Sequence, residues 1–143
     1  MERTLKKQGK QPLKRRGRVD EMTSLLVQEL MNAATSFHKL HLHVNGPGSY
    51  AQHKALGDLY ESLPKLADDI AEGYQGACEV LLDCNVKMPT YLQNVEEAVQ
   101  YMRHISEAVT ELQSIMPHSE IVNQLDLVKD SINSAKYKLI FLS

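Results

Sequence analysis

The chain has 143 residues, 43% of them hydrophobic and mostly aliphatic, with no tryptophan and a formal net charge of −2. This is enough for one domain with a real core, and the composition suits a helical bundle. No apolar run approaches the roughly 18 residues of a membrane span, and the first residues lack the apolar centre of a secretory signal. The two cysteines, Cys78 and Cys84, fit a reducing compartment, and their C-x5-C spacing is not one that zinc sites use. A cytoplasmic protein is therefore expected.

The small net charge hides an asymmetry. Residues 1–18 hold eight of the sixteen Lys and Arg and one acid, a charge of +7, while the other 125 residues carry −9. Gly9, Pro12 and Gly17 interrupt this segment and it has no hydrophobic periodicity, so by itself it is expected to be a flexible arm. The folded domain is expected over residues 19–143. A basic arm on an acidic body suits DNA or RNA, with Lys6, Lys7, Lys10, Lys14, Arg15, Arg16 and Arg18 as the phosphate contacts. Such contacts would be blind to sequence and weakened by salt. A solvating tail, a protein-docking tail and a targeting peptide are the other readings.

Four helices are expected after the arm. The first runs from about Asp20 to His43, with Leu26, Leu30, Ala33, Phe37 and His41 as its core stripe. Gly46-Pro47-Gly48 reverses the chain. Ser49 and Gln52 form a capping box in front of a second helix from about Tyr50 to Tyr74. Its core is Leu56, Leu59, Leu63, Leu66 and Ile70, and Pro64 in its interior is expected to kink it. Gly76 to Pro89 is too long for a hairpin and can cross the length of a bundle, with Val80, Leu81 and Leu82 as an apolar patch. The third helix starts after Thr90, with Gln93 completing a second capping box, and ends at Pro117. Its core is Leu92, Val95, Val99, Met102, Ala108 or Val109, Leu112 and Met116. The fourth follows from about Ser119, with Ile121, Leu125, Val128, Ile132, Ala135, Leu139 and Leu142 at alternating spacings of four and three. The fold class is all-α: a four-helix bundle with a long crossover between its second and third helices, which is the ferritin-like pattern.

The chemistry concentrates between Leu40 and Glu72. Taking His53 as the origin on its helix, Gly57 falls at about 40°, Asp68 at about 60° and Glu72 at about 100°, so these positions share a face. Asp68 and Glu72 are one turn apart and could share a metal. His53 and Asp68 are separated by roughly 22 Å along the axis, too far for one ion. An antiparallel two-fold pairing with a second copy would bring histidine and carboxylates together. His41 lies on or beside the buried face of the first helix, where a lone histidine is more often a core residue than a ligand.

The run Leu40-His41-Leu42-His43-Val44-Asn45-Gly46-Pro47, followed by Tyr50-Ala51 and His53, resembles the signature of Dps, the mini-ferritins of bacteria. Asp68-Asp69-Ile70-Ala71-Glu72 resembles the second half of that signature at the right distance. The resemblance implies an inter-subunit ferroxidase site with His41 and His53 from one subunit and Asp68 and Glu72 from the other. It further implies a homo-oligomer with a two-fold interface, the dodecamer being one such form, and DNA contact through a lysine-rich tail. Iron is the expected metal; zinc, or no metal, is the alternative. Two positions depart from the signature. Gly57 stands where an aspartate one turn after the second histidine is usual, and Leu42 replaces the usual tryptophan. Asp58 and Glu61 are the nearby carboxylates, and the departures favour one weaker site over efficient two-iron chemistry. The phrases SYAQHKALGDLYESL and YKLIFLS also resemble a family of small ferritin-like proteins of tailed phages, which carries no settled activity over; a virion or host cytoplasm would then be the location.

His104 and Glu107 reverse the Glu-x-x-His order of intra-bundle di-iron sites, and His104 and His118 are expected at the surface. There is no G-x-x-x-x-G-K, G-x-S-x-G or H-E-x-x-H motif, and no Ser or Cys has an organised base nearby in sequence. Three functions compete: a Dps-like iron-oxidising, nucleic-acid-protecting protein; a ferritin-like binding or structural module without oxidation; and a metal-free nucleic-acid condenser.

Overall fold

The computed structural model describes residues 13–85 and 88–143. Among these residues there are four helices and no strand: α1 (Leu13–His41), α2 (Ser49–Cys78), α3 (Val95–Ile115) and α4 (Ser119–Phe141). They form an all-α four-helix bundle in which α1 packs on α2 and α3, and α4 packs on α2 and α3. The directions follow from named contacts. Tyr74 near the end of α2 bonds Asp20 near the start of α1, so α1 and α2 are antiparallel. Tyr101 early in α3 meets Phe37 with the rings tilted and their centroids 5.4 Å apart, whereas Glu111 late in α3 meets Arg18, so α3 also runs against α1. Cys78 meets His118 at one end of the α2–α4 seam and Asp58 meets Lys138 near the other. Every neighbouring pair is thus antiparallel, α2 and α3 are parallel diagonal partners, and the connection between them must climb the bundle. That is the ferritin-like topology with one crossover.

The apolar stripes bury as their spacing requires. Leu26, Leu30, Ala33 and Phe37 of α1 pack with Leu56, Leu59, Leu63 and Ile70 of α2, and all are buried. Each large side chain of this kind contributes roughly 1.5–3 kcal/mol on burial. Ile121, Leu125, Val128, Ile132, Ala135 and Leu139 of α4 are buried as expected. Leu142, the last position of that heptad, is exposed because α4 has ended at Phe141. In α3, Tyr101 and Ile105 join the expected Val99, Met102, Val109 and Leu112, while Leu92 and Val95 are only partly covered. Leu66 of α2 is likewise only partly covered, and α2 continues through Pro64 as a single helix.

A second stripe on α1 is polar and buried: Ser24, Gln28, Asn32 and Ser36, each four residues from the last. It is covered by the crossover. The Ser24 hydroxyl donates to the Asp83 carbonyl, and the Gln28 amide donates to the same carbonyl at 2.8 Å. Asn32 donates to the Thr90 hydroxyl and to the Tyr101 hydroxyl, each at 3.0 Å, and the Thr90 N–H donates to Ser36 Oγ at 2.8 Å. Tyr101 in turn donates to Glu29. Burial, then the Glu29 carboxylate, push the Tyr101 phenol well above its ordinary pKa. The crossover therefore ascends α1 as a strap hung on four side chains, each bonded to the strap, although Asn32 Oδ1 is buried without a partner among the described residues. Leu82 and Val80 pack partly against the core, but Leu81 points out, 90% exposed.

Three boundaries differ from expectation for identifiable reasons. Helix α1 begins at Leu13, seven residues before Asp20, so Lys14, Arg15, Arg16 and Arg18 lie on its first turns; Lys6, Lys7 and Lys10 lie outside the described residues. The Ser49–Gln52 box does not form. Gly48, at φ 79°, is the N-cap of α2, with no side-chain cap bond. The Thr90 box does not form either, because the strap uses the Thr90 N–H and hydroxyl. Helix α3 starts five residues later, where Asn94 Oδ1 accepts from the Glu97 N–H at 2.9 Å and Glu97 reaches back to the Gln93 N–H at 2.8 Å. Asn94→Ala is expected to cost about 1 kcal/mol in urea unfolding, while Ser49→Ala stays within about 0.5 kcal/mol of the parent; equal losses would restore the Ser49 cap.

A reciprocal histidine pair at the α1–α2 turn

The end of α1 leaves carbonyls without intrahelical partners, and the chain must reverse within seven residues. His41 closes α1 and His53 stands in the second turn of α2. Nδ1 of His53 lies 2.9 Å from the His41 carbonyl, and Nδ1 of His41 lies 2.8 Å from the His53 carbonyl. A carbonyl oxygen only accepts, so in both rings Nδ1 is the N–H that donates. In the neutral ring this leaves the lone pair on Nε2. The two rings stack with centroids 3.6 Å apart and 20° between planes. Orientation of a ring by an Nδ1–H bond to a backbone carbonyl is the arrangement that prepares Nε2 as a metal ligand.

Gly57 is part of this arrangement. It is buried under His41, and a Cβ built on it would lie 3.3 Å from His41 Cε1 and 3.4 Å from Nδ1. A side chain there would push the clasped ring outward. Position 57 is thus the seat of His41.

The ring row continues beyond the pair. Tyr60 meets His41 edge-on, with centroids 5.1 Å apart, and stacks flat on His38 at 4.0 Å. Sequence reasoning missed Tyr60 and His38. The signal was present: His38 is one turn before His41, and Tyr60 is two turns after His53 on the same side of α2. Beside this row is an open groove of about 300 Å³ lined by Ala34, Thr35, His38, Tyr60, Glu61 and Pro64.

Asp68 and Glu72 are exposed on α2, one turn apart. Asp69 between them pairs with Lys65 at 2.9 Å, and this hydrogen bond is the first cause of the raised Lys65 pKa. The structure brings His41 and His53 together and leaves Asp68 and Glu72 further along α2, roughly 22 Å and 28 Å from His53 along the axis. Among the described residues, no group of three or more His, Cys, Asp or Glu is arranged to hold a metal. One chain therefore presents two imidazole donors at one place and two carboxylates at another. Asp58 is on a different seam, 3.4 Å from Lys138 of α4. Glu61 lines the groove. Of the basic positions, Arg18 is exposed and 4.0 Å from the exposed Glu111, a geometry worth little in water. No helix of the described residues is long and apolar enough to cross a membrane.

Residues 41–139 match the Family of unknown function (DUF5856). The match spans more than half of the chain, from His41 through both carboxylates and all of α3, and the chain belongs to this family. No curated protein and no solved structure matches it.

The Nδ1–H assignment is open to direct measurement. In long-range ¹H–¹⁵N correlation spectra, the neutral rings of His41 and His53 are expected to show a protonated Nδ1 and a bare Nε2. An Nε2–H form for either ring would remove it as a donor.

Proposed function

We propose that this chain binds ferrous iron between two copies of itself, in the manner of a Dps-like mini-ferritin, and that its basic N-terminal segment contacts DNA or RNA. The observation that carries the reading is the reciprocal clasp, which orients two Nε2 atoms and leaves the site two donors short. Asp68 and Glu72 of a second copy are the donors of the right type: carboxylates neutralise the cation and imidazoles suit Fe(II). The symmetry is favourable. Tyr60 and Glu61 are midway between His53 and Asp68, and both line the open groove on the α1–α2 face. A two-fold axis through that groove places each histidine pair over the partner's carboxylates. Met31 and Leu42, on the His38 side of α1, are exposed at 44% and 66%, which gives the pairing apolar surface to cover.

Iron is the substrate in this reading. Each ferrous ion gives one electron to oxygen or peroxide, and the acidic body of an oligomeric shell holds the ferric product. The residues of the chain bind and orient the ion; no general acid or base is required of them. The second reading, a bundle that binds or scaffolds without oxidising, is favoured by Gly57, which offers no carboxylate and whose added Cβ would lie 3.3 Å from the His41 ring. In that case zinc or no metal occupies the histidines.

Subunit complementation separates these readings. His53→Ala and Asp68→Asn alone are each expected to lose ferrous oxidation. Co-refolded in equal amounts, they restore about a quarter of the parent sites, because half of randomly formed two-fold pairs contain one intact site of two. Activity absent from the parent leaves the scaffold reading; activity in the parent without complementation overturns the inter-subunit site. Separately, changing Lys6, Lys7, Lys10 and Lys14 to Glu is expected to weaken DNA binding by roughly tenfold or more at low salt and to leave iron oxidation unchanged. Equal loss of both activities would show the two sites to be misassigned.

A further inference from the structure

At the opposite end of α2 from the histidine clasp, a third polar cluster joins α2 to α4. Cys78 is the last residue of α2 and is half-buried, in no disulfide. Its Sγ is 3.4 Å from Nε2 of His118, the N-cap residue of α4. On the other side of the ring, His118 Nδ1 lies 3.9 Å from Glu120 Oε1, in the first turn of α4. With the proton on Nδ1, the nitrogen that faces Glu120, the Nε2 lone pair faces sulfur, the orientation a base needs beside a nucleophile. Below the sulfur is Tyr74, 1% exposed, whose hydroxyl interacts with both Asp20 and Cys78. Its pKa is raised first by burial and then by these two partners. Sequence spacing alone could not find this group, since the cysteine and histidine are forty residues apart.

We infer that Cys78 is a reactive thiol, with His118 as its base and Glu120 orienting that base, and that small hydroperoxides oxidise it. Half-burial of the sulfur beside an imidazole and a phenol favours a small oxidant over a peptide or an acyl ester. Nε2 of His118 takes the thiol proton, and the thiolate attacks one oxygen of the peroxide. The S–O bond forms as the O–O bond breaks, sulfur losing two electrons and the peroxide gaining them. The leaving hydroxide takes the proton from His118 and departs as water, and Cys78 is left as a sulfenic acid. Nothing in this step involves the α1–α2 histidines, so it holds whether or not the iron reading does.

Cys84, exposed on the crossover, is the internal comparison, because access alone favours it. The full-length protein is used as Cys84→Ser, which keeps only Cys78, and as Cys78→Ser, which keeps only Cys84. The imidazole beside Cys78 takes up the thiol proton as the sulfur reacts, so Cys78 is expected to react with iodoacetamide about fivefold faster than Cys84. It should also be the thiol that yields a dimedone adduct with one equivalent of hydrogen peroxide. Adding His118→Gln to the Cys84→Ser protein should remove both effects at unchanged helicity. Cys78 reacting no faster than Cys84 overturns the inference. So does a His118→Gln protein that melts earlier but labels at the same rate, since His118 would then be only a clip between α2 and α4.

Discussion

The reversal between α1 and α2 rests on satisfying backbone groups that two antiparallel helices expose where they meet. The carbonyl at the end of α1 has no partner in its own helix, and His53 supplies it with an N–H. His41 returns the bond to α2, and Gly57 lets the returning ring lie against the helix. Two side chains and one missing Cβ thus set the register of α1 on α2. That register puts Tyr60 against His38, opens the groove beside them, and leaves the carboxylates at a fixed distance along the same face. Structural and chemical roles coincide in this pair: the nitrogens that hold the turn are Nδ1, and those left for a ligand are Nε2.

The far side of α1 is organised by a different constraint. A strap of non-helical chain cannot satisfy its own backbone groups, so it needs donors and acceptors from what it crosses. Ser24, Gln28, Asn32 and Ser36 supply them, at a spacing that advances slowly around the helix as the strap climbs. With Asn32 and Tyr101 linking the strap to α3, the same network fixes where α3 lies against α1. One long helix therefore carries two codes, an apolar stripe for α2 and the core and a polar one for the connection.

The elements legible in the sequence were those whose partners lie within the same helix. The stripe Leu26–Leu30–Ala33–Phe37 and the α4 heptad could be read from spacing alone, because burial at helical period leaves little freedom. His41 and His53 could be paired across a Gly-Pro-Gly turn. What could not be read depended on tertiary partners. Thr90 has the composition of a cap, but Asn32 and Ser36 hold it elsewhere. A Ser-Gln-Asn-Ser stripe reads as a solvent face until a strap is laid over it. Gly57 reads as a lost ligand until His41 is seen resting on it. Asp68 shares a helix face with His53 yet lies roughly 22 Å along the axis from it, so helical period groups residues that the folded chain keeps apart.

The way the strap is hung bears on how the chain can change. Both Ser24 and Gln28 grip the carbonyl of Asp83, and Ser36 grips the N–H of Thr90; these are groups that nearly every residue possesses. The Asp83 side chain takes no part in the grip, so position 83 can drift through most of the amino-acid alphabet without loosening it. Position 90 is held differently, because its hydroxyl also accepts from Asn32, so serine is the substitute that keeps both bonds there. The crossover is therefore a place to carry a reporter group or a new surface chemistry at position 83, and not at position 90.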